Sequence, residues 1–221
     1  MIRKMDFLVA LYIFGVMTAE LLGAKIIPLG TIGSWHLTAG VAIFVMPLLF
    51  TVTDVVVEVY GAKRARSMVW CGVITAALLV VYTTLATHLP TDARFAHQEA
   101  AYESVFGSSA RIAAASLAAF VASEFLDVLV FAKLRARLHA HALWLRNNAS
   151  NFVSQLADAT VFLTLAFYAL DQPFGSNVAF LTGIIIPYWF VRCLLSVIET
   201  PLVYIGVHWL RGGQEVSLEA A

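Results

Sequence analysis

The sequence predicts an all-α membrane protein, a bundle of six transmembrane helices with both ends on the cytoplasmic side. Composition is the first reason. Of the 221 residues, 61% are hydrophobic and 13% charged, with a mean hydropathy of +0.84. A soluble chain normally carries about 25% charge and about 45–50% apolar residues. Polar surface is too scarce here to cover a globule, so lipid must solvate most of it. The second reason is length, because six apolar runs can be marked, each reaching the roughly 20 residues that cross a bilayer. The third is the placement of Lys and Arg. With the N-terminus inside, the inner segments hold Arg3, Lys4, Lys63, Arg64, Arg66, Lys133, Arg135, Arg137, Arg146 and Arg211. The outer segments hold only Arg94 and Arg111, a bias that fixes orientation.

The chain reads as a single domain, 1–221, with spans at about 6–28, 37–60, 67–87, 111–133, 149–170 and 178–209. The first follows Arg3 and Lys4 as a signal peptide would. It is too long, and no small-residue cleavage site stands where the run ends, so it is read as a retained helix. Gly15, Ala19 and Gly23 recur along it at four-residue spacing, as do Ala110, Ala114, Ala118 and Ala122 along the fourth span, beside Ala115, Ala119 and Ser123. Small residues at that spacing let helices approach closely. The outer connection 88–110 mixes His88, Asp92, Arg94, His97, Glu99 and Glu103, and reads as a solvated loop or a short interfacial helix at the outer mouth. The inner connection 134–148 is basic and carries Trp144, which suits the headgroup zone. The last span is long enough to tilt or to extend past the bilayer. The runs are continuous rather than alternating, which argues against a β-barrel.

Several function classes are disfavoured. Formal net charge is zero, so there is no basic signal for nucleic acid. Cys71 and Cys193 lie in apolar runs without a CxxC and read as small core residues. His36, His88, His97, His139, His141 and His208 lie in loops or near span ends, and neither HExxH nor GxSxG occurs. No metal, cofactor or catalytic residue is expected, and a membrane-embedded enzyme is the weakest reading.

The charges inside the spans carry the functional signal. Mid-bilayer Asp, Lys or Arg costs about 2.5–3.5 kcal/mol each on insertion scales. Nevertheless Glu20, Lys25, Asp54, Glu58, Glu124, Asp127, Asp158, Arg192 and Glu199 all fall within spans. Such groups face a bundle interior or a watery cavity, pair with one another, or bind something. Lys25 is expected to snorkel outward, and Glu58 to pair with Lys63 and Arg64. By depth, Glu20, Glu124, Asp158 and Arg192 fall near the middle, with Asp54, Asp127 and Glu199 nearer the cytoplasm. A buried ion pair or a hydrogen-bonded carboxyl is the plain alternative for each.

Helical spacing groups them, since residues three or four apart share a face. Phe120, Glu124, Asp127 and Phe131 form one stripe; Phe50, Asp54 and Glu58 another; Asn151, Gln155, Asp158 and Phe162 a third; Tyr188, Trp189, Arg192, Ser196 and Glu199 a fourth. Rings beside carboxylate, amide and guanidinium groups suit a small planar heterocycle, with faces to stack and edges to hydrogen-bond.

The residues that carry a family resemblance are these. Pro47–Leu48–Leu49–Phe50–Thr51–Val52–Thr53–Asp54 continues through Val55–Val56–Val57–Glu58–Val59–Tyr60–Gly61 to Ala65–Arg66. A second block is Ala115–Ser116, Asp127, Phe131, Lys133–Leu134–Arg135, Trp144–Leu145–Arg146–Asn147–Asn148, Ser150, Ser154–Gln155 and Asp158. Arg192, Thr200–Pro201 and Tyr204 complete it. Together they resemble the queuosine precursor transporter family, also called the vitamin uptake transporter family. Two positions depart from the pattern: Ala159 follows Asp158 where a hydroxyl residue is usual, and Arg192 stands where Lys is commoner. Both leave the neighbouring charge in place.

The resemblance implies a six-helix fold akin to the substrate-binding subunits of energy-coupling-factor vitamin transporters. It also implies uptake across the bacterial inner membrane of 7-deazaguanines such as preQ0, preQ1 or queuine, for the queuosine of transfer RNA. The guanine-like edge presents a ring N–H and an amine that one carboxylate can receive. Its carbonyl wants a donor such as Gln155, Asn151 or Arg192, and its ring can stack on Phe120, Phe50, Trp189 or Tyr188. Asp54, Asp127 or Asp158 would carry a coupling proton in a monomer or homodimer working without an ATPase. The alternative is a substrate-capturing subunit of an ATP-driven complex, docked through the alanine stripe.

Overall fold

The computed structural model describes residues 3–22, 25–32, 35–107, 110–138 and 142–212; Gly23, His139 and His141 lie outside them. Six long helices run alternately up and down: α1 (Lys4–Leu22), α2 (Met46–Tyr60), α3 (Ala62–Thr87), α5 (Ala110–Leu138), α6 (Leu143–Phe167) and α7 (Phe174–Leu210). A hairpin of β1 (Ile26–Ile32) and β2 (Trp35–Gly40) and a short α4 (Glu99–Phe106) sit at one end of this bundle. Among the described residues, five segments are long and apolar enough to cross a membrane, and they contain α1, α2, α3, α5 and α7. The remaining long helix, α6, has 25 residues, or roughly 37 Å at 1.5 Å per residue. Asn147, Asn148, Asn151, Gln155 and Asp158 dilute its hydropathy, and all five are buried. The protein is a multi-pass membrane protein whose polar residues face inward.

Two boundaries differ from the sequence reading. The first apolar run reaches residue 28, but α1 stops at Leu22 and Ile26–Ile32 pairs antiparallel with Trp35–Gly40. Pro28, which donates no amide hydrogen, and Gly30, at φ 142°, interrupt the run. The pairing register slips between these two residues. Hydropathy does not distinguish an apolar strand from the end of an apolar helix. The second run begins at 37, whereas α2 begins at Met46, with a single 3-10 segment Val41–Phe44 before it. Pro47 lies in the first turn of α2, where the missing N–H costs nothing. Of the two readings of the outer connection, the short helix forms, as α4.

Helix α2 is the axis of the bundle, packing against α1, α3, α5 and α7, and every residue from Leu49 to Glu58 is buried. Its neighbour α3 follows after one residue. Gly61, at φ 84° and ψ 163°, reverses the chain in a conformation that an L side chain rarely adopts. At Gly15 the reason for glycine is proximity: a Cβ there would lie 2.7 Å from Leu49 Cδ2. On α5 the buried small residues are Ala115, Ala119 and Ser123, against α6, while Ala114 and Ala118 are exposed. The lipid-facing surface carries Leu78, Val81, Tyr82, Ile198 and Ile205, all largely exposed.

Helix α7 contains Pro187 and Pro201. Each removes one helical hydrogen bond, which is tolerated in a bundle where neighbours re-satisfy the backbone. Arg192, Ser196 and Glu199 lie between the two prolines, turned inward and buried. The turn before α7 is fixed by Asn177, whose side chain accepts from Ala169 N at 2.9 Å and donates to Ala169 O at 2.8 Å. Arg111 closes the end of α6 by donating to Leu165 O at 2.7 Å and Tyr168 O at 2.5 Å.

Candidate substrate-binding site

A cavity of about 240 Å³ opens at the bundle end that carries the hairpin and α4. It is small, below the roughly 300–1,000 Å³ typical of drug-sized ligands, and suits a bicyclic base. Of the residues on the four stripes, Phe120, Asp158, Phe162, Tyr188 and Arg192 line it. Arg192 and Asp158 form an ion pair between α7 and α6, both buried. Ser123 donates to the other Asp158 oxygen at 3.4 Å. The Arg192 guanidinium also lies 4.7 Å from the centroid of the Tyr188 ring, a cation–π contact that holds it beside the cavity.

The geometry of this pair suits a guanine-like edge. A carboxylate has about four lone-pair positions, and two protein partners leave some of them open. A guanidinium has five N–H donors. Acceptor and donor therefore stand side by side, complementary to an N–H next to a carbonyl. Phe120, Phe162 and Tyr188 supply ring faces on the same cavity.

The other sequence candidates lie deeper. Glu124 is fully buried and accepts from Tyr12 Oη at 2.8 Å and Thr53 Oγ1 at 3.2 Å. Asp127 accepts from Ser154 at 3.3 Å and faces Asp54 across α2 and α5. Neither Asp54 oxygen has a protein donor among the described residues. Asn151 donates to Ser196 at 2.9 Å and to Glu199 at 3.1 Å. Gln155 is buried, but it is not on the cavity wall. Phe50 is fully enclosed in the core and Trp189 donates its indole N–H to Phe152 O at 2.9 Å, so neither ring lines the cavity.

At the opposite end, Glu58 pairs with Arg146 at 3.1 Å, Arg211 at 3.2 Å and Arg135 at 3.3 Å. These partners replace the expected Lys63 and Arg64, which lie in the first turn of α3 on the far side of Gly61. Arg146 is itself buried, 5.6 Å from the Phe131 ring centroid.

The family described as "Putative vitamin uptake transporter" matches residues 40–206, which includes α2, α3, α5, α6 and most of α7. The chain belongs to the vitamin uptake transporter family. Curated members resemble it closely enough to align over most of its length. A Bacillus subtilis (strain 168) "Probable queuosine precursor transporter" is 33% identical over 79% of this chain and 74% of its own length. A Haemophilus influenzae (strain ATCC 51907 / DSM 11121 / KW20 / Rd) protein of the same name is 34% identical over 64% of this chain and 56% of its own. The "Queuosine precursor transporter" of Escherichia coli (strain K12) is 30% identical over 67% of this chain and 62% of its own. No solved structure matches the chain.

The match to this vitamin uptake transporter family covers the Asp158–Arg192 pair and most of the cavity wall, but begins after α1. Helix α1 nonetheless contributes Glu20, whose Oε1 accepts from Ser116 at 2.9 Å. Sequence spacing did not select Glu20 as a site residue. No polar side chain stands three or four places from it in the sequence, where Val16, Met17, Gly23 and Ala24 are found. Only tertiary packing brings it to Ser116. Phe162 had been placed on the α6 stripe, and its appearance on the cavity follows from that face.

Proposed function

We propose that this protein imports 7-deazaguanine queuosine precursors across the bacterial inner membrane, with both termini in the cytoplasm. The observation that carries the reading is the buried Asp158–Arg192 pair on the wall of a base-sized cavity lined by aromatic rings. The names of the relatives support the same substrate class. Asp158 receives the ring N–H and exocyclic amine of the base, Arg192 donates to its carbonyl, and Phe120, Phe162 and Tyr188 flank the ring. The remaining candidates, Phe50, Glu124, Asn151, Gln155 and Trp189, support this wall from behind. The orientation places the cavity mouth outside and the Glu58 cluster inside, so the described conformation admits substrate from outside.

Transport is proton-coupled in this proposal, with the proton held between Asp54 and Asp127 below the cavity. Asp158, already paired with Arg192, is the less suited of the three carboxyl candidates. Substrate and proton thus occupy neighbouring layers of the same bundle, the one between α6 and α7 and the other between α2 and α5. Import needs no ATPase, and the active unit is a monomer or homodimer.

The test is uptake of labelled preQ0 and preQ1 by cells lacking their own carrier and any coupling subunit. Expression of this chain alone should give accumulation, and Asp158→Asn should weaken ligand binding by about 1–3 kcal/mol, as expected when a buried hydrogen-bonded partner is lost. Asp54→Asn should keep binding and lose the dependence of uptake on the proton gradient. No uptake by the parent, or uptake only with a coupling ATPase present, would overturn the transport reading. Parent uptake that ignores a collapsed gradient would remove the coupling.

A further inference from the structure

We propose that Glu20 is a specificity-determining residue whose carboxylate receives the protonated amine of an amine-bearing deazaguanine. The proposal rests on the reading of the cavity as a base site and names which member of the class it favours. Among the described residues, three formally charged ones line the cavity: Glu20, Asp158 and Arg192. The single cation is committed to Asp158 by the ion pair between them. Glu20 reaches the cavity from another helix, α1, and among the described residues no Lys, Arg or His pairs with it.

Its neighbours leave a donor wanting. Ser116 satisfies Oε1 at 2.9 Å. The hydroxyls of Thr83 and Thr84, also on the wall, donate to backbone carbonyls of their own helix instead. The rest of the surroundings are mainly apolar: Val16, Leu21, Ala42, Met46 and Ile112. A carboxylate in such a setting is stabilised by a charge-assisted donor, and an ammonium brings three N–H donors with a full positive charge. A nitrile on the same ring brings none. The ring edge itself belongs at Asp158, because only there does a guanidinium stand beside the carboxylate to meet the ring carbonyl. Glu20 has no such neighbour and is left for the substituent.

Calorimetric titration of the detergent-purified full chain with the aminomethyl and cyano deazaguanines tests this. The parent should bind the aminomethyl compound on the order of 10–100-fold more tightly, the range for a hydrogen bond to a charged group. Glu20→Gln should bring the aminomethyl compound down to the affinity of the cyano compound and leave the latter within about twofold, since the ring edge is untouched. Glu20→Asp, which keeps the charge, should retain part of the preference. Equal affinity of the parent for both compounds would overturn the proposal, as would an equal loss of both on Glu20→Gln. The second result would assign Glu20 to the ring edge or to the fold. If the folded parent binds neither compound, the base site itself is wrong, which is a different result from parent binding without preference.

Discussion

Asp158 and Glu58 are both buried acids held by arginine, one on the cavity wall inside the bundle and one at the end opposite the cavity mouth, and their surroundings differ. Asp158 has one arginine, and the pair opens on a cavity with aromatic walls. Glu58 has three arginines, one on α5, one on α6 and one just past the end of α7, and it ties α2 to all three helices. The first pair retains lone pairs and N–H groups for a ligand. The second spends its single carboxylate on cross-linking helices. Burial and charge alone therefore do not mark a binding site; open hydrogen-bonding capacity beside free volume does.

Substitutions can break or sharpen this contrast. The largest effect is expected from Arg192→Met, which strands the Asp158 carboxylate. Loss of one partner of a buried pair typically costs about 3–5 kcal/mol, read as a fall in the thermal unfolding temperature together with loss of base binding. Adding Asp158→Leu to that variant should restore much of the stability and none of the binding. Recovery of binding in the double variant would show that the pair is structural, like Glu58.

An intermediate effect is expected from Glu58→Gln. Arg135 and Arg211 are each 38% exposed, so water takes over part of their solvation and the cost falls to about 1–3 kcal/mol. Deazaguanine affinity should stay within about twofold, since distant sites act independently. A large loss of affinity would erase the difference between the two ends. The smallest effect is expected from Phe162→Leu, which removes one ring face from the cavity. About 0.5–1.5 kcal/mol of binding should be lost, the usual value of an aromatic pair, with no change in unfolding temperature.

The helical spans and the inward face of each were legible because lipid imposes them. Continuous apolar runs and the expense of charge in hydrocarbon left few arrangements for Asp54, Asp127, Asp158 and Arg192. The stripe on α6 was legible for the same reason, and it brought Asp158 to the cavity and Asn151 to the layer beneath. What spacing within one helix cannot show is the partner on another. Glu58 chose Arg135, Arg146 and Arg211 over the nearby Lys63 and Arg64 because Gly61 turns α3 away. Glu20 stands alone on α1 and acquires meaning only when Ser116 of α5 packs against it. The hairpin was hidden because Ile26–Ile32 is as apolar as the helix before it. Phe50 and Trp189 had the right chemistry on the right helices, yet packing turned their rings into the core and toward Phe152.

The edge recognition proposed for Asp158 and Arg192 is tested most directly by comparing two ligands that share a ring and differ in that edge, 7-deazaguanine and 7-deazaadenine. Calorimetry on the purified chain should show 7-deazaguanine bound at least about 100-fold more tightly, because a site built for one hydrogen-bond pattern strongly rejects its inverse. Equal affinity for the two would contradict a base held by this pair.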